Sequence, residues 1–324
     1  ESNQAGANFG RSAGTAGDVN GDGYDDILIG AYDYSNGQES EGGAWVWYGS
    51  KDGLGPNGTL SNADWSAESN LESAHFGTSS RTAGDVNNDG YDDIIVGAYN
   101  WKELSGEYGR VFVWYGSENG LGPDGNPGNA DWMGGGNDRH YGYSVRSAGD
   151  VNGDNYDDII IGAFSTLQRG KVYVYHGSET GLDDYATDSH DWSVIGEQDD
   201  GYFGISVSSA GDINGDGYDD VIIGGDHITT ADTESGQVFV WHGSSTGLGP
   251  KNDALSTADW TFEPGQEKAL LGKSVSAAGD VDGDGYDDVI ASAPYYTNGE
   301  DKEGRVYLFY GSADGLGSSE DWNF

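Results

Sequence analysis

The chain of 324 residues has no cysteine, one methionine and six prolines, and only 14 lysines and arginines stand against 56 acidic residues, for a formal net charge of −42. Without cysteine there is no disulfide framework and no thiolate metal site. So few bases exclude a nucleic-acid partner, because a phosphate backbone demands a basic face. No stretch approaches the ~18 consecutive apolar residues of a membrane span, so no membrane insertion is expected. High charge and 57 glycines lean toward disorder, but 12% aromatic residues with many Val and Ile supply a core. The sequence opens at Glu1 with no Met and no charged-then-apolar leader, as expected where a signal peptide has been removed or lies outside the chain.

What is present is a repeat. AGDVNGDGYDD at Ala16 returns as AGDVNNDGYDD at Ala83, AGDVNGDNYDD at Ala148, AGDINGDGYDD at Ala210 and AGDVDGDGYDD at Ala278, at spacings of 67, 65, 62 and 68 residues. Upstream of each stands Phe9-Gly10, Phe76-Gly77, Tyr141-Gly142, Phe203-Gly204 or Leu271-Gly272, with Ser12, Ser79, Ser144, Ser206 or Ser274 two residues on. Downstream come an apolar run ending in a small pair (ILIGA at 27–31), a G-x-V-aromatic-V run ending in Gly-Ser (109–117), a Gly-Leu turn and an Asp-Trp pair ending in Trp65, Trp132, Trp192, Trp260 or Trp322.

Short Val-, Ile- and aromatic-rich runs bounded by Gly, Asn and Asp are strands, and no long 3.6-residue period marks a helix. Each repeat therefore holds four strands: after Phe-Gly, at the ILIGA run, at the VFVWY run and at Asp-Trp. The third strand is apolar on both faces, which suits a sheet held between two like sheets. The expected fold is all-β, a β-propeller of five four-stranded blades with calcium-binding loops, in a single domain over 1–324 with repeats at about 1–67, 68–134, 135–194, 195–262 and 263–324. Because residues 1–10 match 68–77 and the chain stops at one phase of the repeat, a ring of five blades is expected, with Asp321–Phe324 returning beside the start; a fragment of a longer array is the alternative.

The strongest chemical signal is D-x-[DN]-x-D-G-x-x-D. Alternate residues of such a loop aim oxygens at one centre, and hard cations take six to eight of them. The candidate ligands are Asp18, Asn20, Asp22, Tyr24 by its carbonyl and Asp26; Asp85, Asn87, Asp89, Tyr91 and Asp93; Asp150, Asn152, Asp154, Tyr156 and Asp158; Asp212, Asn214, Asp216, Tyr218 and Asp220; Asp280, Asp282, Asp284, Tyr286 and Asp288. About five Ca²⁺ ions are expected, one per repeat. An EF-hand is excluded, since its twelfth position is here Ile29, Val96, Ile161, Ile223 or Ala291. Carboxylates packed this closely repel one another unless a cation intervenes.

This frame resembles the FG-GAP repeat of the integrin alpha-subunit propeller and its prokaryotic and fungal relatives. The likeness covers essentially the whole chain, with milder departures at Gly224-Gly225, Leu271-Gly272 and Ser292-Ala293-Pro294. It implies a structural Ca²⁺ in each loop between the first and second strands, on the face opposite the ligand. The integrin propeller has seven blades, whereas five repeats are present here.

Gly10-Arg11-Ser12-Ala13-Gly14 matches the nucleophile elbow G-x-S-x-G, but Ser12 recurs as a serine in every repeat and no helix follows, so it reads as structural and the chain as non-catalytic. His176 and His242 replace Tyr48, Tyr115 and Tyr310 at one repeat position and read as packing. So do the aromatic stripes Trp45, Phe112, Tyr173, Phe239, Tyr307 and Trp47, Trp114, Tyr175, Trp241, Phe309. Function is sought where the repeats differ, at 32–42, 99–108, 164–169, 226–235 and 294–303. These segments carry Tyr32, Tyr34, Tyr99, Trp101, Phe164, His227, Tyr295 and Tyr296, suited to sugar stacking or protein contact. The expected role is an extracellular, secreted or cell-surface, calcium-stabilised adhesion module for a glycan or a surface or matrix protein. The alternatives are a structural subunit of a surface layer, appendage or matrix, and the propeller of a secreted polysaccharide- or lipid-acting enzyme. With the 21 acids of the nine-residue loops set aside, 35 acids still face 14 bases, so metal ligation alone does not explain the acidity. Asn57-Gly58-Thr59 is a glycosylation sequon.

Overall fold

A computed structural model describes residues 1–55, 58–103, 106–135, 138–183, 189–230 and 233–323; Asn57 of the sequon and Phe324 lie outside them. Five four-stranded sheets account for the repeats. In the first, Ser12–Gly17, Asp26–Ala31, Gly43–Trp47 and Trp65–Glu68 pair antiparallel in chain order. The second holds Phe76–Gly84, Asp93–Ala98, Arg110–Trp114 and Trp132–Gly135. The third holds Ser144–Gly149, Asp158–Ala163, Lys171–Tyr175 and Trp192–Ile195. The fourth holds Phe203–Gly211, Asp220–Gly225, Gln237–Trp241 and Trp260–Phe262. The fifth holds Ser274–Gly279, Asp288–Ala293, Arg305–Phe309 and Trp322–Asn323, the last strand pairing through Tyr307↔Asn323. Each of these strands falls where the sequence places it, but two short hairpins do not: Lys102–Glu103 pairs with Gly106–Glu107 and Thr229–Thr230 with Thr233–Glu234, inside segments read as loops. Among the described residues helix is confined to three single turns, at Leu60–Asn62, Thr166–Gln168 and Leu255–Thr257. None is long and apolar enough to cross a membrane.

The residues form two compact units, Glu1–Ser147 with Gly177–Ser189, and Ala148–His176 with His190–Phe324. In both, the apolar third strand is buried on both faces, because the fourth-strand Trp of one sheet packs on the third-strand aromatic of the next. Trp65 meets Trp114 at 5.2 Å in the first unit; Trp192 meets Trp241 at 5.3 Å and Trp260 meets Phe309 at 4.8 Å in the second. Each tilted pair adds roughly 0.5–1.5 kcal/mol beyond its area.

The small pairs of the motif have a steric cause. Gly30 lies against the Gly77 carbonyl in the first unit, and Gly162 and Gly224 lie against the carbonyls of Gly204 and Gly272 in the second. A Cβ there would collide with backbone, so the Phe-Gly of one sheet seats on the Gly-Ala of its predecessor only while both stay glycine.

Candidate metal loops and a candidate binding face

The register sets what each end of a sheet carries. Ser12 pairs with Gly30 at one end and Gly17 with Asp26 at the other, so the acidic loop closes one end and the Phe-Gly and Gly-Ala residues occupy the opposite one.

At the acidic end the chain wraps around the first aspartate. Asp18 accepts the N–H of Asp22 at 3.0 Å and of Gly23 at 2.8 Å, and Asp85 accepts those of Asp89 and Gly90 at the same distances. In the fifth loop Asp280, Asp282 and Asp284 are exposed and bring carboxylate oxygens within 4.8 Å of one another. The ninth-position residues Asp26, Asp93, Asp158, Asp220 and Asp288 are fully buried. Asp26 accepts the N–H of Val19 at 3.1 Å and of Gly49 at 2.7 Å, and Asp93, Asp220 and Asp288 repeat the arrangement on Val86 and Gly116, Ile213 and Gly243, and Val281 and Gly311. Each carboxylate thus ties its loop to the end of the third strand. Burial pushes Asp93 and Asp220 up to about 8 and Asp26 to about 6, against two backbone N–H bonds that favour the charged form and neighbouring aspartates that do not. An oxygen-only donor set crowded with carboxylates fits a hard divalent cation and not a soft metal.

The eighth-position aspartate was not assigned a role from the sequence. Asp92 accepts the N–H of Asp18 at 2.7 Å, and in the second unit Asp219 does so for Asp150 at 2.9 Å and Asp287 for Asp212 at 3.1 Å. The preceding tyrosine ring covers a glycine of the earlier loop: Tyr91 over Gly21, Tyr218 over Gly153 and Tyr286 over Gly215. Tyr-Asp is thus the part of one loop that grips its predecessor. The unbroken Tyr-Asp-Asp in all five repeats was the available signal, hidden by its position inside a ligand-like string. Within the second unit, and among the described residues, the last loop lacks such cover: Gly279 and Gly283 have no neighbour against them and Val281 is 53% exposed, whereas Ile213 is fully buried.

The opposite end carries a feature no pattern announced. The residue before each Phe-Gly pair is left-handed, with φ of 55° at Asn8, 54° at His75, 59° at His140, 52° at Tyr202 and 57° at Leu270. Such backbone costs of order 1–3 kcal/mol per residue and gathers at ligand-holding sites. In the first unit it turns His75 into a cluster. His75 shares a hydrogen bond with the Tyr99 hydroxyl through Nδ1 at 2.8 Å, and its Nε2 lies 3.4 Å from Asp33, which accepts from Asn8 at 2.7 Å. The Tyr32 ring meets His75 at 5.6 Å, and Tyr99 meets His140 and Tyr143 at 5.4 Å each. Burial pushes Tyr99 up to about 12, helped by Tyr143, Tyr32 and Asp33, and burial lowers His75 against the pull of Asp33. In the second unit Tyr202 meets Phe164 at 5.4 Å and His227 at 4.6 Å; His227 lies 2.8 Å from buried Asp226, which also accepts from Lys273 at 3.0 Å.

The aromatic candidates therefore divide by position. Tyr32, Tyr99 and Phe164, directly after the small pair, and His227 stand at the end face. Two residues further on, Tyr34 packs on Trp45 at 5.0 Å, Trp101 on Phe112 at 5.3 Å and Tyr296 on Tyr307 at 6.3 Å, in the sheets. Tyr295 is 47% exposed beneath Lys302. Ser12 is 3% exposed, inside a strand, with its hydroxyl donating to Ser80 O at 3.2 Å, which is no setting for a nucleophile. His176 and His242 pack against Gly247 and Gly315, in the place of the tyrosines that pack on Gly120 and Gly181.

A family model described as FG-GAP repeat matches residues 9–47, 76–114, 141–175, 203–241 and 272–309. Among curated proteins the chain is 31% identical over 232 residues to integrin alpha-4 of Xenopus laevis, covering 69% of this chain and 20% of that one. It is 32% identical over 163 residues to integrin alpha-5 of Xenopus laevis, covering 48% and 15%. It is 31% identical over 173 residues to phosphatidylinositol-glycan-specific phospholipase D of Mus musculus, covering 51% and 20%. The chain thus spans a fifth or less of the length of these relatives.

Proposed function

Since the chain belongs to the FG-GAP repeat family, with five integrin-like propeller blades, we propose that it is an extracellular, non-catalytic binding module for a glycan or a surface protein, stabilised by about five Ca²⁺ ions. The observation that carries the binding role is the His75–Tyr99 cluster: strained backbone, rings meeting at tilted and edge-on angles, and a shared 2.8 Å hydrogen bond at the end of the sheets away from the acidic loops. Rings with polar edges stack on a sugar face or anchor a protein contact while hydroxyl and imidazole fix its orientation.

The first, third and fifth residues of each loop would hold the ion, with the buried ninth carboxylate behind them. The ion supplies charge neutralisation, which lets the crowded aspartates stay ionised and the loop stay closed. Calcium sites of this class fill at roughly 10⁻⁴–10⁻³ M in extracellular fluids. A catalytic assembly is the second reading, favoured by the similarity to phosphatidylinositol-glycan-specific phospholipase D; this chain would then be the accessory propeller.

The test is a glycan array and a surface-protein pull-down in calcium, with wild type beside His75→Ala and Tyr99→Ala. Retention by wild type and its loss in both variants, with the melting temperature kept within a few degrees, supports the reading. Equal retention by the variants overturns the assignment of this face. Turnover of a polysaccharide or glycolipid by the wild-type chain overturns the non-catalytic role.

A further inference from the structure

Although the chain carries 56 acidic residues, two arginines of the first unit meet no carboxylate among the described ones. Arg81 and Arg146 follow Ser80 and Val145 on the first strands of the second and third sheets, at the repeat position that is Gly14 in the first sheet. The register between these strands repeats. Ser12 Oγ accepts the N–H of Ser80 at 2.9 Å, and Ser79 Oγ accepts the N–H of Val145 at 3.2 Å. Arg81 lies across Gly14, where a Cβ would come within 2.9 Å of its Cδ, and its guanidinium donates to Ser12 Oγ at 2.9 Å and Ser80 O at 2.8 Å. One repeat further along, the position of Gly14 is taken by Arg81 itself. By that register Arg146 faces a cation where Arg81 faces a glycine, and the charge of Arg146 acts on Arg81.

Neither guanidinium has a carboxylate partner among the described residues. Burial lowers both, and Arg81, held down further by Arg146, falls to about 10. Two partly buried like charges without a counter-ion are an unfavourable arrangement for a fold to keep. Guanidinium forks complete themselves on oxyanions, where paired N–H groups meet paired oxygens.

We infer that Arg81 and Arg146 form a binding site for a small oxyanion of the sulfate or carboxylate class, set on the first strands of the second and third sheets and separate from both the acidic loops and the His75–Tyr99 cluster.

The test follows the melting temperature of the calcium-loaded chain in sodium sulfate against sodium chloride at matched ionic strength, for wild type, Arg146→Met and Arg146→Lys, with sodium acetate as a second probe. The expected wild-type response to sulfate saturates in the millimolar range. It is absent in Arg146→Met and needs about tenfold more sulfate in Arg146→Lys, which keeps the charge but not the fork. Sulfate excluded from the general surface gives instead a rise that does not saturate. That behaviour in wild type, or a saturable response kept in Arg146→Met, overturns the proposal. If Arg146→Met does not fold, a wild-type half-point left unchanged by Arg146→Lys overturns it.

Discussion

The Asp92 carboxylate accepts the backbone N–H of Asp18 at 2.7 Å while the N–H of Asp92 donates to the Asp18 carbonyl at 3.1 Å. One residue thus exchanges two hydrogen bonds with the loop before it, and the Tyr91 ring closes over Gly21 beside them. Successive sheets are tied at the end where their charges are densest.

Replacing Asp92 by Ala leaves the Asp18 N–H without its acceptor. The expected loss is about 1–2 kcal/mol, the scale of a hydrogen bond to a charged group discounted for the partial exposure of this one. Urea denaturation checks it through a lower midpoint at unchanged slope, with Asp219→Ala and Asp287→Ala behaving alike.

On the proposed calcium loops, chelation removes a ligand that binds the native state. At calcium a hundredfold above the dissociation constant each occupied site contributes about 2.7 kcal/mol, so EDTA lowers the melting temperature substantially. Asp89→Ala reduces the calcium count by one in equilibrium dialysis and leaves the other four sites titrating. An EDTA-insensitive melt, or loss of all five sites together in Asp89→Ala, contradicts independent structural ions.

The pH response of the metal-free chain has a definite sign. Asp93 and Asp220 stand at about 8 in the fold, above the ordinary value of 3.8, so the native state holds protons that the unfolded chain has released. Their contribution is full below pH ~4 and is lost as pH rises toward 8. In EDTA the melting temperature is therefore higher at pH 5 than at pH 8. Saturating calcium, which favours the charged form, flattens or reverses that slope.

Leu270 holds φ of 57° with a branched side chain, where the first repeat has Asn8 at 55°. Leu270→Asn is expected to stabilise by about 0.5–1 kcal/mol, since asparagine tolerates the left-handed region. A rise of a few degrees in the calorimetric midpoint checks it; a fall shows that the Leu270 side chain contributes more packing than its backbone costs.

The strands were legible because each depends on local signals. Val, Ile and aromatics alternate between glycine-bounded turns, and the fivefold phrase fixes their phase. The closed turn of the acidic loops was equally plain, since the spacing of Asp18, Asn20 and Asp22 lets their side chains accept from the loop's own backbone. The roles of Asp92, Asp219 and Asp287 were not legible. In the string Tyr-Asp-Asp two identical side chains part company, one folding under the third strand and the other reaching back to the preceding loop, and that division is made by tertiary contact. The same holds for Tyr32 and Tyr34, two residues apart in one segment, of which one joins His75 and the other packs on Trp45. The left-handed residue before Phe-Gly escaped because Asn, His, Tyr and Leu share no chemistry there; they share only a backbone angle.

The ties between loops have a direction. In every described case the later loop brings the side chains, ring and carboxylate, and the earlier one offers only backbone, an N–H with its carbonyl and a bare glycine. A loop that frays therefore unfastens the neighbour upstream of it, while the neighbour downstream keeps its own grip. Damage along such a row travels toward the amino terminus, and sound order is handed on from the carboxyl side.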